Sequence, residues 1–78
     1  MYLSEAIEKR ISGLCDERNI TLNRLATICG ITQSTLNNIK NRNNRSTTVL
    51  TIYRICFGLE IDINEFFDDK LFDNIDDE

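Results

Sequence analysis

Apolar residues recur at helical spacing along almost the whole chain, and no proline interrupts them. In the first stretch Leu3, Ile7, Ile11 and Leu14 stand three or four residues apart, which places them on one face of a helix. No stretch alternates β-branched and polar residues over a useful length, as a half-buried strand does. The sequence therefore predicts an all-α fold, and 78 residues are enough for one small domain with a modest core.

Residues that typically start and stop helices divide this pattern into five predicted helices. Thr21, Thr32, either Ser46 or Thr47, and Asp62 are candidate N-caps, whose side-chain oxygens accept backbone N–H groups of the first turn. Gly30 is a candidate for the left-handed residue that ends a helix. The predicted helices cover residues 4–18, 22–29 and 33–41, a fourth stretch ending near 59, and a short stretch that starts near 62.

Each predicted helix has an inward apolar face, and these faces should form a single core. The first helix contributes the four residues named above. The other expected core positions are Leu25, Ala26, Cys29, Leu36, Ile39, Val49, Ile52, Ile55, Cys56, Leu59, Ile63, Phe66 and Phe67.

The net charge of −4 combines two regions of opposite sign. Residues 1–59 contain eight Lys or Arg and four Asp or Glu, whereas residues 60–78 contain one Lys and nine Asp or Glu. We therefore interpret residues 1–67 as a mildly basic domain and residues 68–78 as an acidic tail. The tail is expected to be partly or wholly disordered, or else docked by Leu71 and Phe72.

Metal chemistry, disulfides and export are not expected. The chain has no histidine, and its three cysteines, Cys15, Cys29 and Cys56, form no CxxC pair. They are expected to be reduced and buried. No cofactor or small-molecule ligand is indicated. No apolar run is long enough for a transmembrane helix, and the acidic N-terminal helix is unlike a secretory signal, so a cytoplasmic protein without membrane contact is expected.

The second and third predicted helices, with the short turn between them, form a helix-turn-helix pattern. A small residue, Ala26, allows the helices to cross closely, Gly30 allows the turn, and Leu36 and Ile39 lock the third helix on the core. The segment TLNRLATICGITQSTLNNIKN, with TTVLTIYRICFGLEIDINEFF after it, resembles the phage repressor and Cro type of helix-turn-helix domain over roughly residues 4–67. The resemblance implies a five-helix DNA-binding domain of a bacterium or prophage.

That resemblance also implies a recognition helix, residues 33–41, that enters the major groove. It places base contacts at Gln33, Ser34 and Asn38, and we add Asn37, because Asn and Gln amides can pair with adenine. Leu22 departs from the family, which often has a phosphate-contacting polar residue there, and Glu60 stands where Gly or Asn often ends the fourth helix. The expected phosphate contacts are Thr21, Thr32, Lys40, Asn41, Arg42, Arg45 and Thr48.

Helix four has a second apolar stripe, formed by Leu50, Tyr53 and Phe57, on the side away from the predicted core. Scattered apolar residues on a surface are common and need no explanation. The alternative is the contact surface of a homodimer, which would place two recognition helices on two half-sites. We favour the homodimer.

Two functions remain open at this point. The first is a sequence-specific double-stranded DNA-binding transcriptional regulator. The second is a protein-interaction module, such as an antitoxin component, whose acidic tail engages a partner. An enzyme is not expected, because no set of nucleophile, base and orienting residue is present.

Overall fold

The structure, a computed structural model, describes residues 1–41 and 47–77 and shows the predicted all-α architecture. Its helices are α1 (Leu3–Arg18), α2 (Leu22–Cys29), α3 (Gln33–Asn41), α4 (Val49–Leu59) and α5 (Ile63–Phe67), followed by a short 3₁₀-helix (Lys70–Phe72). The predicted bounds of α2 and α3 agree with those of the structure, and α1 starts one residue earlier than predicted.

Three of the helices end with the same device. Asn19, Gly30 and Glu60 each adopt a left-handed backbone, with φ of 54°, 66° and 59°. The isoleucine that follows each of them donates its N–H to the carbonyl five residues earlier, at distances of 3.1, 3.1 and 2.9 Å. The same isoleucines, Ile20, Ile31 and Ile61, pack against the core. Each helix end therefore combines a backbone bond and an apolar contact, which is the Schellman arrangement.

The core is a single cluster to which all five helices contribute. Its members are buried apolar side chains, namely Ile7, Ile11, Leu14, Cys15, Leu25, Ala26, Cys29, Leu36, Ile39, Ile52, Ile55, Cys56, Leu59 and Phe66. Three predicted core residues were wrong: Val49, Leu3 and Phe67 are 70%, 43% and 37% exposed. Leu3 and Val49 are the first residues of their helices and Phe67 is the last residue of α5, so the apolar stripe continues there beyond the part of the helix that other elements cover.

Two predicted N-caps also differ in the structure. Thr48 caps α4, because its Oγ1 accepts the Thr51 N–H at 3.1 Å. The prediction of Ser46 or Thr47 was therefore wrong by one or two positions; Ser46 itself lies outside the described residues. Asp62 does precede α5, but its side chain accepts no capping hydrogen bond.

Helices α2 and α4 approach each other closely at Gly58. A Cβ atom at this position would lie 2.6 Å from the Cys29 Sγ and 3.0 Å from the Cys29 Cα. The Cys29 thiol lies beside α4 and donates to the Ile55 carbonyl at 3.6 Å. Gly58 therefore permits a helix contact that any larger residue would obstruct, and this contact fixes how α2 sits on α4.

Of the two alternatives for the acidic tail, the structure shows the docked one for the residues that it describes. Phe72 packs against the core, with its ring 4.9 Å from that of Phe67. Arg10 of α1 donates to the carbonyls of Phe66 and Glu65, at 2.7 and 2.9 Å, and pairs with the Asp69 carboxylate at 3.3 Å. One cation thus satisfies the carbonyl end of α5 and neutralises an acid of the tail.

Candidate nucleic-acid interface

In the α2–α3 pair, one side of α3 is polar and exposed to solvent. Leu36 and Ile39 are buried at 1% and 6% exposure and hold α3 on the core, and Ala26 is buried on the α2 side. Four residues that the sequence predicted on the opposite side of α3 are exposed, namely Gln33, Ser34, Asn37 and Asn38, and Lys40 is exposed as well. This face therefore carries amide, hydroxyl and ammonium groups, and it carries no carboxylate.

The start of α3 is ordered by its own side chains. Thr32 Oγ1 accepts the Thr35 N–H at 3.1 Å and lies 2.8 Å from the Thr35 hydroxyl oxygen. This confirms Thr32 as the N-cap of α3. Because the cap uses the hydroxyl group, a phosphate at this end of α3 would meet the remaining backbone N–H groups of the first turn.

One contact within this surface was missed by the sequence analysis. Gln33 Nε2 donates to Asn23 Oδ1, so the first residue of α3 is bonded to the second residue of α2. The two residues are ten positions apart and both are exposed. The only signal for this pair was that a helix-turn-helix brings the first turns of its two helices close together.

Two of the seven predicted phosphate contacts lie around one concavity of about 390 Å³ between α1 and the α2–α3 pair. Thr21 and Lys40 line it together with Asn23, while Asp16 adds one acid to its rim. Thr21 also caps α2, because its Oγ1 accepts the Arg24 N–H at 3.1 Å. Thr48 is exposed at the start of α4 and does not line this concavity. The side chain of Asn41, and Arg42 and Arg45, lie outside the described residues.

The charge pattern around this surface favours an anionic partner. No acidic residue occurs between Glu17 and Glu60, whereas six arginines and lysines do. In the acidic tail, Asp69 pairs with Arg10 of α1, and Asp76 pairs with the N-terminal ammonium group of Met1. The molecule can therefore be acidic in total while the α2–α3 surface is basic.

The three cysteines are free and buried, as predicted. Burial raises the pKa of each thiol, and it raises that of Cys29 to about 11, with the neighbouring Cys15 and Cys56 adding to the effect. At neutral pH these thiols are protonated, so they are poor nucleophiles and poor metal ligands. Among the described residues no group of three His, Cys, Asp or Glu side chains is placed to hold a metal ion.

A second exposed face lies on α4 and is apolar. Phe57, Leu50 and Tyr53 are exposed at 73%, 59% and 50%, and the rings of Tyr53 and Phe57 are 6.2 Å apart. This confirms the predicted outward position of the stripe. In the part of the chain that the structure describes, no helix is long and apolar enough to cross a membrane.

Two helices joined through Gly30, with a buried small residue between them and a polar outward face, define a helix-turn-helix DNA-binding domain. The sequence model of the Cro/C1-type helix-turn-helix DNA-binding domain matches residues 10–70, and the chain therefore belongs to this family. Domains of this family bind DNA and are typically not enzymes.

A solved structure has the same fold over nearly the whole chain. It is described as the crystal structure of the prophage Lp1 protein 11, and it superposes with a TM-score of 0.84 at 30% sequence identity. The match covers 96% of this chain and 100% of that chain. A comparison with curated protein sequences found no match.

Proposed function

We propose that this protein is a sequence-specific double-stranded DNA-binding transcriptional regulator that acts in the bacterial cytoplasm. The observation that carries the proposal is the outward face of α3, where every described side chain is an amide, a hydroxyl or an ammonium group. In a helix-turn-helix domain this helix is the one that enters the major groove. The groups on this polar, acid-free helix can form hydrogen bonds with base edges in the groove and with the phosphates beside it.

Base edges would be read by Gln33, Ser34, Asn37 and Asn38. A carboxamide has a donor and an acceptor side by side, which match N6 and N7 of adenine. Three of these four side chains are carboxamides, and all four are exposed. The proposal therefore favours operators with adenines at the positions that face α3.

Phosphates would be bound on either side of α3. Thr21 and Lys40 at the concavity would contact one stretch of backbone, and the start of α3 at Thr32 would add N–H groups. Thr48, at the start of α4, would contact the backbone on another side. Asn41, Arg42 and Arg45 complete the proposed set on the ground of their sequence position and residue type. Such contacts set affinity and register, and they make binding sensitive to salt.

The regulator would bind as a homodimer through the apolar face of α4, formed by Leu50, Tyr53 and Phe57. A free domain gains nothing from three adjacent exposed apolar side chains, whereas a symmetric contact would remove them from water. A dimer would also double the number of base contacts. In this proposal residues 1–67 form the DNA-binding domain and residues 68–78 are an acidic tail that stays on its surface. Regulation would follow from concentration and dimerisation.

The interaction-module hypothesis is less favoured than the regulator. A tail that engages a partner by its apolar residues must present them, and Phe72 packs against the domain's own core. Removal of residues 68–78 would distinguish the two functions, because a partner module would lose its partner. A regulator would keep its DNA sequence preference, provided that the shortened protein stays folded.

Selection of bound duplexes from a random DNA pool, at roughly physiological salt, tests the proposal directly. The expected result is an inverted repeat whose half-site centres lie about 10 base pairs apart, one turn of the double helix. A folded protein that enriches no sequence would overturn the regulator proposal. Enrichment of a single half-site would keep the DNA function and overturn the homodimer.

A further inference from the structure

We propose that Asn23 is a positioning residue for base recognition: it holds the Gln33 amide in one orientation and thereby sets which base edge Gln33 prefers. This inference rests on the proposed function of α3. It assigns a role in recognition to α2, to a residue that is not itself among the proposed base contacts.

The first part of the argument is that Asn23 has a well-defined backbone. It lies in the first turn of α2, which Thr21 caps through the Arg24 N–H at 3.1 Å. The Thr27 hydroxyl donates to the Asn23 carbonyl at 3.2 Å, one turn further along the helix. The Asn23 side chain therefore extends from a helix start that is hydrogen-bonded on both sides.

The second part is that Gln33 also has a well-defined backbone. It is the first residue of α3, directly after the cap residue Thr32, whose Oγ1 accepts the Thr35 N–H at 3.1 Å. Between the two helices Gly30 sets the turn, and the Ile31 N–H bonds to the Ala26 carbonyl at 3.1 Å. With both helix starts fixed, the remaining freedom lies in the glutamine side chain itself.

The hydrogen bond to Asn23 restricts the Gln33 side chain through its amide nitrogen, Nε2. Gln33 Nε2 carries two N–H groups, and one of them donates to Asn23 Oδ1. The other N–H and the carbonyl Oε1 remain, and they are the donor–acceptor pair that an adenine edge requires. A free glutamine loses side-chain entropy when it binds, so a glutamine that is already held loses less and distinguishes better between amide orientations.

The two residues that precede Asn23 are not available for this role. Leu22 is apolar and packs against the core, and the Thr21 hydroxyl is used in the helix cap. Asn23 also lines the concavity that contains Thr21 and Lys40, the proposed phosphate contacts. It therefore lies at the border between the proposed phosphate-binding and base-reading parts of the surface.

Two substitutions at this position separate positioning from other effects. Asn23→Ala removes the acceptor, whereas Asn23→Asp keeps an acceptor oxygen for Gln33 and adds a negative charge. Binding of each variant is measured on the selected operator and on all of its single-base-pair variants, with Gln33→Ala as the reference. Circular dichroism and thermal unfolding confirm that each variant is folded.

The expected pattern differs between the two variants. Asn23→Ala should lower discrimination about fivefold or more at the base pair that Gln33→Ala identifies, and leave the other base pairs unchanged. In the Gln33→Ala background it should have no further effect there, because the two residues act as one unit. Asn23→Asp should weaken binding to all sequences by charge repulsion and keep the discrimination at that base pair.

Failure of this inference can be distinguished from failure of the proposed function. If the wild-type protein prefers a sequence and Asn23→Ala weakens all duplexes equally, or none, Asn23 does not position Gln33 and only this inference is overturned. If Asn23→Asp loses the same discrimination as Asn23→Ala, the acceptor role is overturned. A folded wild-type protein without any sequence preference overturns the proposed function, and this inference with it.

Discussion

The outward faces of α3 and α4 differ in chemistry, although the inward faces of both helices are apolar. Each contributes apolar residues three or four positions apart to one core. Outward, α3 presents Gln33, Ser34, Asn37 and Asn38, whereas α4 presents Leu50, Tyr53 and Phe57. Packing in the core therefore constrains only the inward residues of each helix. The outward residues can differ in chemistry according to what binds to them.

This difference matters because neither outward face contributes to folding of the single domain. The amides of Asn37 and Asn38 are exposed, and so is the ring of Phe57. Exposed positions usually tolerate substitution with little change in stability. Substitutions on the two faces should therefore separate DNA binding from dimerisation, and both from folding.

The largest effect is expected from removal of the amides on α3. The double variant Gln33→Ala/Asn38→Ala should reduce the preference for operator over random DNA by about 30-fold or more, because each amide contributes roughly 1–3 kcal/mol. Competition binding with operator and random duplexes measures this ratio. Asn64→Ala removes an exposed amide of α5 and serves as the matched control. A double variant with unchanged preference would contradict the assignment of α3 as the recognition helix.

The second effect concerns the apolar face of α4. Phe57→Ser should weaken self-association by about 2 kcal/mol or more if Phe57 is central to the dimer contact. Analytical ultracentrifugation measures the change, and the unfolding temperature should stay close to that of the wild type. Leu3→Ser is the control, since Leu3 is an exposed apolar residue on another helix, α1, at 43% exposure. Equal effects of both variants would remove Leu50, Tyr53 and Phe57 from their proposed role.

The third effect concerns the close contact between α2 and α4 at Gly58. Gly58→Ala should lower the free energy of unfolding by about 1–3 kcal/mol, because the added methyl meets Cys29. Part of this loss should be recovered in the Cys29→Ala background, which removes the Sγ but leaves the Cα. Chemical denaturation measures both.

Gly13→Ala is the matched control for this substitution. Gly13 also lies within a helix, but nothing lies within 4 Å of its added Cβ, so this change should raise stability by up to about 1 kcal/mol. Similar effects at the two glycines would mean that α2 and α4 are not in close contact at Gly58.

The smallest effect is expected from a single charge beside α3. Lys40→Ala should weaken binding to all duplexes alike and lower the slope of log affinity against log salt by about 0.9. Titrations at several salt concentrations measure the slope. Lys70→Ala removes the same charge from the 3₁₀-helix and should leave the slope unchanged. A Lys40 variant that changes sequence preference instead would place Lys40 among the base contacts.

The pattern of local signals explains why much of this arrangement was predictable. The bounds of α2 and α3 follow from residues within or beside each helix, namely the caps Thr21 and Thr32 and the glycine between them. The outward position of the α3 amides follows from the helical period once Leu36 and Ile39 are assigned inward. Such signals depend on neighbours a few positions apart, which the sequence alone contains.

Other features depend on how the helices meet and were not predictable in this way. Arg10 bonds to residues 55 to 59 positions away, and its role at the end of α5 follows only from the crossing of α1 with the C-terminal part. The cap of α4 is Thr48, although its two preceding residues also have hydroxyl groups. The choice among three neighbouring hydroxyl residues depends on where tertiary packing starts the helix.

By itself the sequence determined the helices, most of the inward residues, the turn at Gly30 and the acid-free stretch that contains α3. These properties arise from periodicity, capping and composition, which act over a few residues. The tertiary structure alone decided the exposure of Leu3 and Val49, the docking of the tail by Arg10 and Phe72, and the bond from Gln33 to Asn23. Those depend on distances between residues far apart in the chain, and only the packed core sets such distances.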